Sequence, residues 1–130
     1  MGSTSIEWTD HSINPFRARL ASGQGKGHYC EKISPGCKNC YSSRFQPRLA
    51  MPQFQEQRRR SDIEHWLDAS KLNEVLRRKK PTKYFWCDMT DMFGDWVPNE
   101  WIAACFGVMA ATPHHTHQVL TKRAARMHAW

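Results

Sequence analysis

The stretch from Lys83 to the end of the chain constrains the fold more than any other part of the sequence. Lys83 to Cys87, reading KYFWC, is a short aromatic run between Pro81 and an acidic loop. That is the pattern of a strand buried on both faces. Pro98 suits a first helical turn, and Trp101, Ile102, Cys105, Phe106 and Met109 supply the apolar stripe of a helix that ends near Thr112 and Pro113. His117 to Thr121, HQVLT, is a second strand candidate, followed by a basic helix from about Lys122 onward. Strand, helix, strand, helix in succession predicts βαβ packing around a parallel sheet, so the expected class is α/β.

Upstream the pattern is less regular. Ser61 and Glu64 form a capping box ahead of Ile63, Trp66 and Leu67, whose i, i+3, i+4 spacing predicts a helix there. Leu72, Val75 and Leu76 repeat the spacing out of phase, which predicts two short helices or a kink near Ser70, ended by Pro81. Before that, Tyr41 to Met51 opens as a helix that Pro47 interrupts. Residues 1–45 read as loop-rich, punctuated by Gly23, Gly25, Gly27, Pro35 and Gly36. The glycines of residues 21–27 lack the GK[ST] ending of a phosphate-binding loop and receive no chemistry. A chain of 130 residues accommodates one domain. The expected division is a metal-binding region at 1–45 and an α/β portion at 46–130.

The metal expectation comes from the cysteines. Five is an odd count, and Cys30, Cys37 and Cys40 fall together in CEKISPGCKNC. A secreted disulfide framework more often shows an even number spread along the chain. The closing C-x2-C pair sits on a turn, and Pro35-Gly36 bends the chain so that Cys30 can join it. Soft thiolates favour zinc or iron–sulfur clusters. Zinc in a structural site takes a fourth ligand, for which His28, Cys87, His114, His115 and His117 are the candidates; a 4Fe-4S cluster on three cysteines leaves one iron open. The plainer reading is three buried thiols without a metal.

Charge points to a partner. Nineteen Lys and Arg against twelve Asp and Glu leave a formal charge of +7. The excess is concentrated in Arg58, Arg59 and Arg60 and in Arg77, Arg78, Lys79 and Lys80. Such clusters attract phosphate backbones or acidic protein surfaces, and otherwise serve as solvated helix ends. Asp88, Asp91 and Asp95 follow the first strand, where parallel sheets carry their sites; the plainer role is capping the helix near Pro98. His114, His115 and His117 read as polar loop residues before metal ligands. Trp66, Trp86, Trp101 and Phe106 read as core, while Trp96 and Trp130 suit a partner surface. No stretch reaches the roughly 18 apolar residues of a membrane span, and the N-terminus has no signal-peptide pattern, which predicts an intracellular protein.

Several motifs then occur in order: SIEWTD (Ser5 to Asp10), Asn14-Pro15, KISPGCKNCY (Lys32 to Tyr41), CDMTDMF (Cys87 to Phe93) and HQVLTKR (His117 to Arg123). Together they resemble the phage three-cysteine-motif proteins, a family related to radical S-adenosylmethionine enzymes. The resemblance implies a (β/α) barrel-type fold with a 4Fe-4S cluster on the positions matched by Cys30, Cys37 and Cys40. It also implies that S-adenosylmethionine binds the open iron through its amino and carboxylate groups, helped by Asp88, Thr90 and Asp91. Full barrels run to about 250 residues, so a chain of this length implies a partial, barrel-like parallel sheet. The expected function is a phage-type iron–sulfur protein with an unidentified substrate in the cytoplasm of an infected bacterium. The alternative expectation is a non-catalytic, metal-stapled basic module that docks on nucleic acid or a host nucleoprotein complex, for example a phage inhibitor of CRISPR-type immunity. Self-association would cover the sheet edge of a partial barrel.

Overall fold

The structure, a computed structural model, describes residues 9–20, 28–29, 53–54, 63–88 and 90–130. In chain order the elements are β1 (His11–Ile13), β2 (Phe16–Leu20), β3 (His28–Tyr29), β4 (Gln53–Phe54), β5 (Ile63–Leu67), α1 (Ala69–Arg77), β6 (Lys83–Trp86), α2 (Asn99–Ala111), β7 (Thr116–Val119) and α3 (Ala124–Ala129). A parallel sheet of three strands has the order β1-β6-β7, β2 and β5 form an antiparallel ribbon, and β3 pairs in parallel with β4.

The expected βαβ unit is present. In β6, Tyr84, Phe85 and Trp86 are all buried, as the central strand of a covered sheet requires. His11 pairs with Tyr84 and Ile13 with Trp86 on one side; Tyr84 pairs with His117 and Trp86 with Val119 on the other. Backbone bonds extend these ladders past the strands, from Cys87 N–H to Ile13 O at 2.8 Å and from Thr116 N–H to Thr82 O at 3.0 Å.

Helix α1 starts where Asp68, in extended conformation, accepts from Ser70 N–H at 3.1 Å. That bond fills one of the orphan donors of the first turn. The Ser70 hydroxyl donates to the same oxygen at 2.5 Å, and that bond is the main reason the Asp68 carboxyl is held below its ordinary range, with the backbone bond adding to it. Leu72 and Val75 turn inward together. On α2 the inward residues are Ile102, Cys105 and Val108, again three apart. These join Ile13, Phe16, Tyr84, Trp86, Met92, Phe93 and Val97 in a single core.

Three expectations change. The helix expected over Ile63, Trp66 and Leu67 is a strand, because this segment, with β-branched Ile63 and aromatic Trp66, pairs with β2 over its full length, from Leu20 opposite Ile63 to Phe16 opposite Leu67. A run of two apolar residues and one three earlier fits both periods, and the partner strand decides. Glu64, expected in a capping box, instead binds Arg19, and the helix begins only after Asp68. Within the first 45 residues, 11–13, 16–20 and 28–29 are strands, and the first of them supplies an edge of the main sheet. Pro98 stands at the N-cap of α2 without a side-chain cap bond, and the bonds of Asp88 and Asp91 go to Asn14 and to the loops after β6 and β7, so these two do not cap that helix.

Candidate functional site

In a parallel sheet the carboxyl ends of all strands lie on one edge, and the loops there meet. Here that edge gathers Asn14 after β1, Cys87 and Asp88 after β6, and Thr121 to Arg123 after β7. Asn14 is fully buried, and its Nδ2 donates to Asp88 Oδ1. Asp88 is 8% exposed, and its other oxygen, Oδ2, is buried with no hydrogen-bond partner. Burial pushes the Asp88 carboxyl above its ordinary value, against the opposing bonds from Asn14 and Ser12. A buried carboxylate oxygen left unsatisfied is costly unless a donor arrives.

The residue before it is set for this geometry. Cys87 has φ 58, the left-handed region, and is the non-glycine residue that adopts it among those described. Such a conformation in a residue with a Cβ costs about 1–2 kcal/mol, and it turns the chain sharply as it leaves β6. The Cys87 thiol is driven well above its ordinary value by burial first, then by Cys105, Asp91 and Asp88 nearby. Burial likewise pushes Cys105 up to about 12. Both thiols are therefore protonated and behave as small apolar groups.

Asp91 works differently from Asp88, because every contact it makes is internal. Its Oδ1 accepts from Thr121 Oγ1 at 2.6 Å and from Phe93 N–H at 2.9 Å. Its Oδ2 accepts from Lys122 N–H at 3.0 Å and from the Arg123 guanidinium at 3.4 Å. That guanidinium lies over the Trp96 ring, 4.7 Å from its centroid. Asp91 thus ties the loop after β6 to the loop after β7. Thr90, half-buried, donates its N–H to Cys87 O at 3.4 Å.

The histidines form a hydrogen-bonded group between helices and sheet. His115 Nδ1 accepts from Thr82 N–H at 3.1 Å, which assigns the proton to Nε2, 3.2 Å from Val75 O. His117 Nδ1 accepts from Trp86 Nε1–H at 2.9 Å, so its Nε2–H donates to Thr112 Oγ1 at 3.0 Å. His114 Nε2–H donates to Arg78 O at 2.9 Å. Five of these six ring nitrogens are thereby committed within the fold. Of the basic clusters, Arg77, Lys79 and Lys80 are exposed and Arg78 is half-buried beyond α1; Arg58, Arg59 and Arg60 lie outside the described residues. So do Cys30, Cys37 and Cys40. Among the described residues no three His, Cys, Asp or Glu side chains are grouped to hold a metal ion, and no helix is long and apolar enough to cross a membrane.

Sequence reasoning singled out Asp88 from its place after a strand but assigned no role to Asn14, Ser12, Thr121 or Arg123. Only the Asn14-Pro15 pair stood out as a motif, and its partner is 74 residues away.

A family model with the description "Protein of unknown function (DUF5131)" matches residues 3–130. Comparison with curated proteins and with solved structures gives no match.

Proposed function

This chain belongs to the DUF5131 family, and from that premise we propose that it is an iron–sulfur protein of the radical S-adenosylmethionine type, of phage kind and working in the bacterial cytoplasm. The observation that carries the reading is the buried, unpartnered Oδ2 of Asp88 beside Asn14, at the carboxyl edge of a parallel sheet. An orphan carboxylate oxygen in that place suits a ligand bearing a cationic amine, and the cofactor's amino group is one. The three parallel strands with their helices are then part of a barrel-like sheet.

In this reading Cys30, Cys37 and Cys40 hold the 4Fe-4S cluster. When bound, the cluster supplies the electron for reductive cleavage of the cofactor's sulfonium. The chain's own part is positioning. Asn14 fixes one oxygen of Asp88 so that the other is aimed at the ligand, and Asp91 locks the two loops that border it. Burial holds the Asp88 carboxyl above its ordinary value, and an ammonium group beside it would lower it again.

Anaerobic reconstitution with iron and sulfide tests this. The expected product has four-iron stoichiometry and visible charge-transfer absorption, both lost in Cys37→Ala. Asp88→Asn should retain the cluster and bind S-adenosylmethionine at least about tenfold more weakly by calorimetry, the loss of one charge-assisted bond. Zinc in place of iron, or full cofactor affinity in Asp88→Asn, would reject the reading.

A further inference from the structure

The antiparallel ribbon has one face turned to the core and another turned out. Phe16, Ala18 and Ile63 are buried, with Phe16 against Trp101 and with Ala18 and Ile63 against Trp96. Because side chains alternate along a strand, Arg17, Arg19, Glu64 and Trp66 stand on the opposite face. Arg17 lies directly across from Trp66, and Arg19 directly across from Glu64.

We propose that this outer face binds single-stranded nucleic acid, with Trp66 stacking on a base and Arg17 taking a phosphate. Trp66 is only half-buried, in a chain where Trp86 is fully enclosed. Arg19 lies over its ring, 5.3 Å from the centroid, and is held there by a two-pronged pair with Glu64, each contact 2.9 Å. Glu64 therefore fixes Arg19 and leaves the cation for Arg17 to supply. Arg17 accepts no such restraint: its Nε is buried without a hydrogen-bond partner, and Asp68 reaches it through charge alone. A flat ring beside a guanidinium lacking a bonded carboxylate matches the alternating base and phosphate of a nucleic-acid strand. Stacking needs an unpaired base, which selects single strands over duplex. The formal charge of +7 adds the sequence-independent attraction that brings such a strand in. An acidic protein surface would use the arginines and leave the ring idle.

The ribbon departs from the carboxyl edge of the sheet, since β2 begins two residues after Asn14 and Asp68 N–H bonds to Pro15 O at 2.7 Å. The binding itself is independent of any cofactor there.

Fluorescence anisotropy of a labelled oligothymidylate with the full chain tests the proposal. Expected are salt-dependent binding, weaker binding of a blunt duplex of equal length, and a loss of about tenfold or more in Trp66→Leu and in Arg17→Gln. Trp66→Tyr, which retains a stacking face, should stay within about threefold of the parent. Circular dichroism and melting show that each variant folds. Parent-like affinity in both Trp66→Leu and Arg17→Gln, duplex binding as tight as single-strand binding, or equal competition by poly-glutamate would overturn it.

Discussion

Asn14 and Asp88 stand at the ends of neighbouring parallel strands, and the amide of one donates to the carboxylate of the other while the second carboxylate oxygen goes unanswered. The arrangement spends stability to keep an acceptor available. Because the folded state raises the Asp88 pKa, that penalty is absent below the ordinary value of 3.8, grows as pH rises through the raised one, and is constant above it. Asp88→Asn, which can still accept from Asn14, is expected to raise the melting temperature at neutral pH by a few degrees, roughly 1 kcal/mol. A fall in melting temperature would show that the carboxylate has a structural partner.

The histidine group gives the opposite pH dependence. Burial is the first cause that lowers both His115 and His117 below 6.5, and the neighbouring His114 and Arg78 for His115, and His115 and His114 for His117, add to it. The unfolded chain therefore takes up protons first on acidification. Stability is unaffected above about pH 7 and falls as pH drops through 6.5 toward the lowered folded values. Protonation at Nδ1 would also set a new N–H against Thr82 N–H in one ring and Trp86 Nε1–H in the other. Urea midpoints measured from about pH 7 to 5 should decline, and less steeply in His117→Gln. A flat profile would remove the histidines from the account.

Asp91 and Arg123 form a buried pair, 5% and 8% exposed at their side chains. Asp91→Ala removes the carboxylate that serves the Arg123 guanidinium, the Thr121 hydroxyl and two backbone N–H groups, and is expected to cost about 3–5 kcal/mol in urea unfolding. Arg126→Ala, which frees Gly94 O and Val97 O at a partly exposed position, should cost less, about 1–2 kcal/mol. Equal effects would mean that the loops are held by something other than Asp91.

Cys87 and Cys105 are both buried thiols, yet they should respond differently to the same substitution. Cys105→Val places a β-branched residue in a helix, where one rotamer is well tolerated. Cys87→Val forces it into φ 58, a region β-branched residues avoid, and should be the more destabilising by about 1–3 kcal/mol. Matching losses at the two positions would show that packing, and not backbone conformation, decides at Cys87.

The legible parts of the sequence were those whose pattern is local. β6, α2 and β7 could be read because aromatic density, an apolar stripe and bordering prolines all lie within the element itself. β1 has three residues, and its reason to be a strand is β6, some 70 positions away. β5 was misread for the same cause: Ile63, Trp66 and Leu67 satisfy helical spacing, and only the distant β2 reveals them as a strand. At the candidate site the carboxylate after β6 was legible from its position. Asn14 was not, since nothing near it in sequence explains why an amide is buried there.

Two residues, Asn14 and Pro15, both buried, separate the strand that belongs to the sheet from the strand that belongs to the ribbon. With Cys87 N–H clamped to Ile13 O before them and Asp68 N–H to Pro15 O after them, the joint has no slack. The first pair of the ribbon, Phe16 and Leu67, is therefore held within two residues of the amide that donates to Asp88.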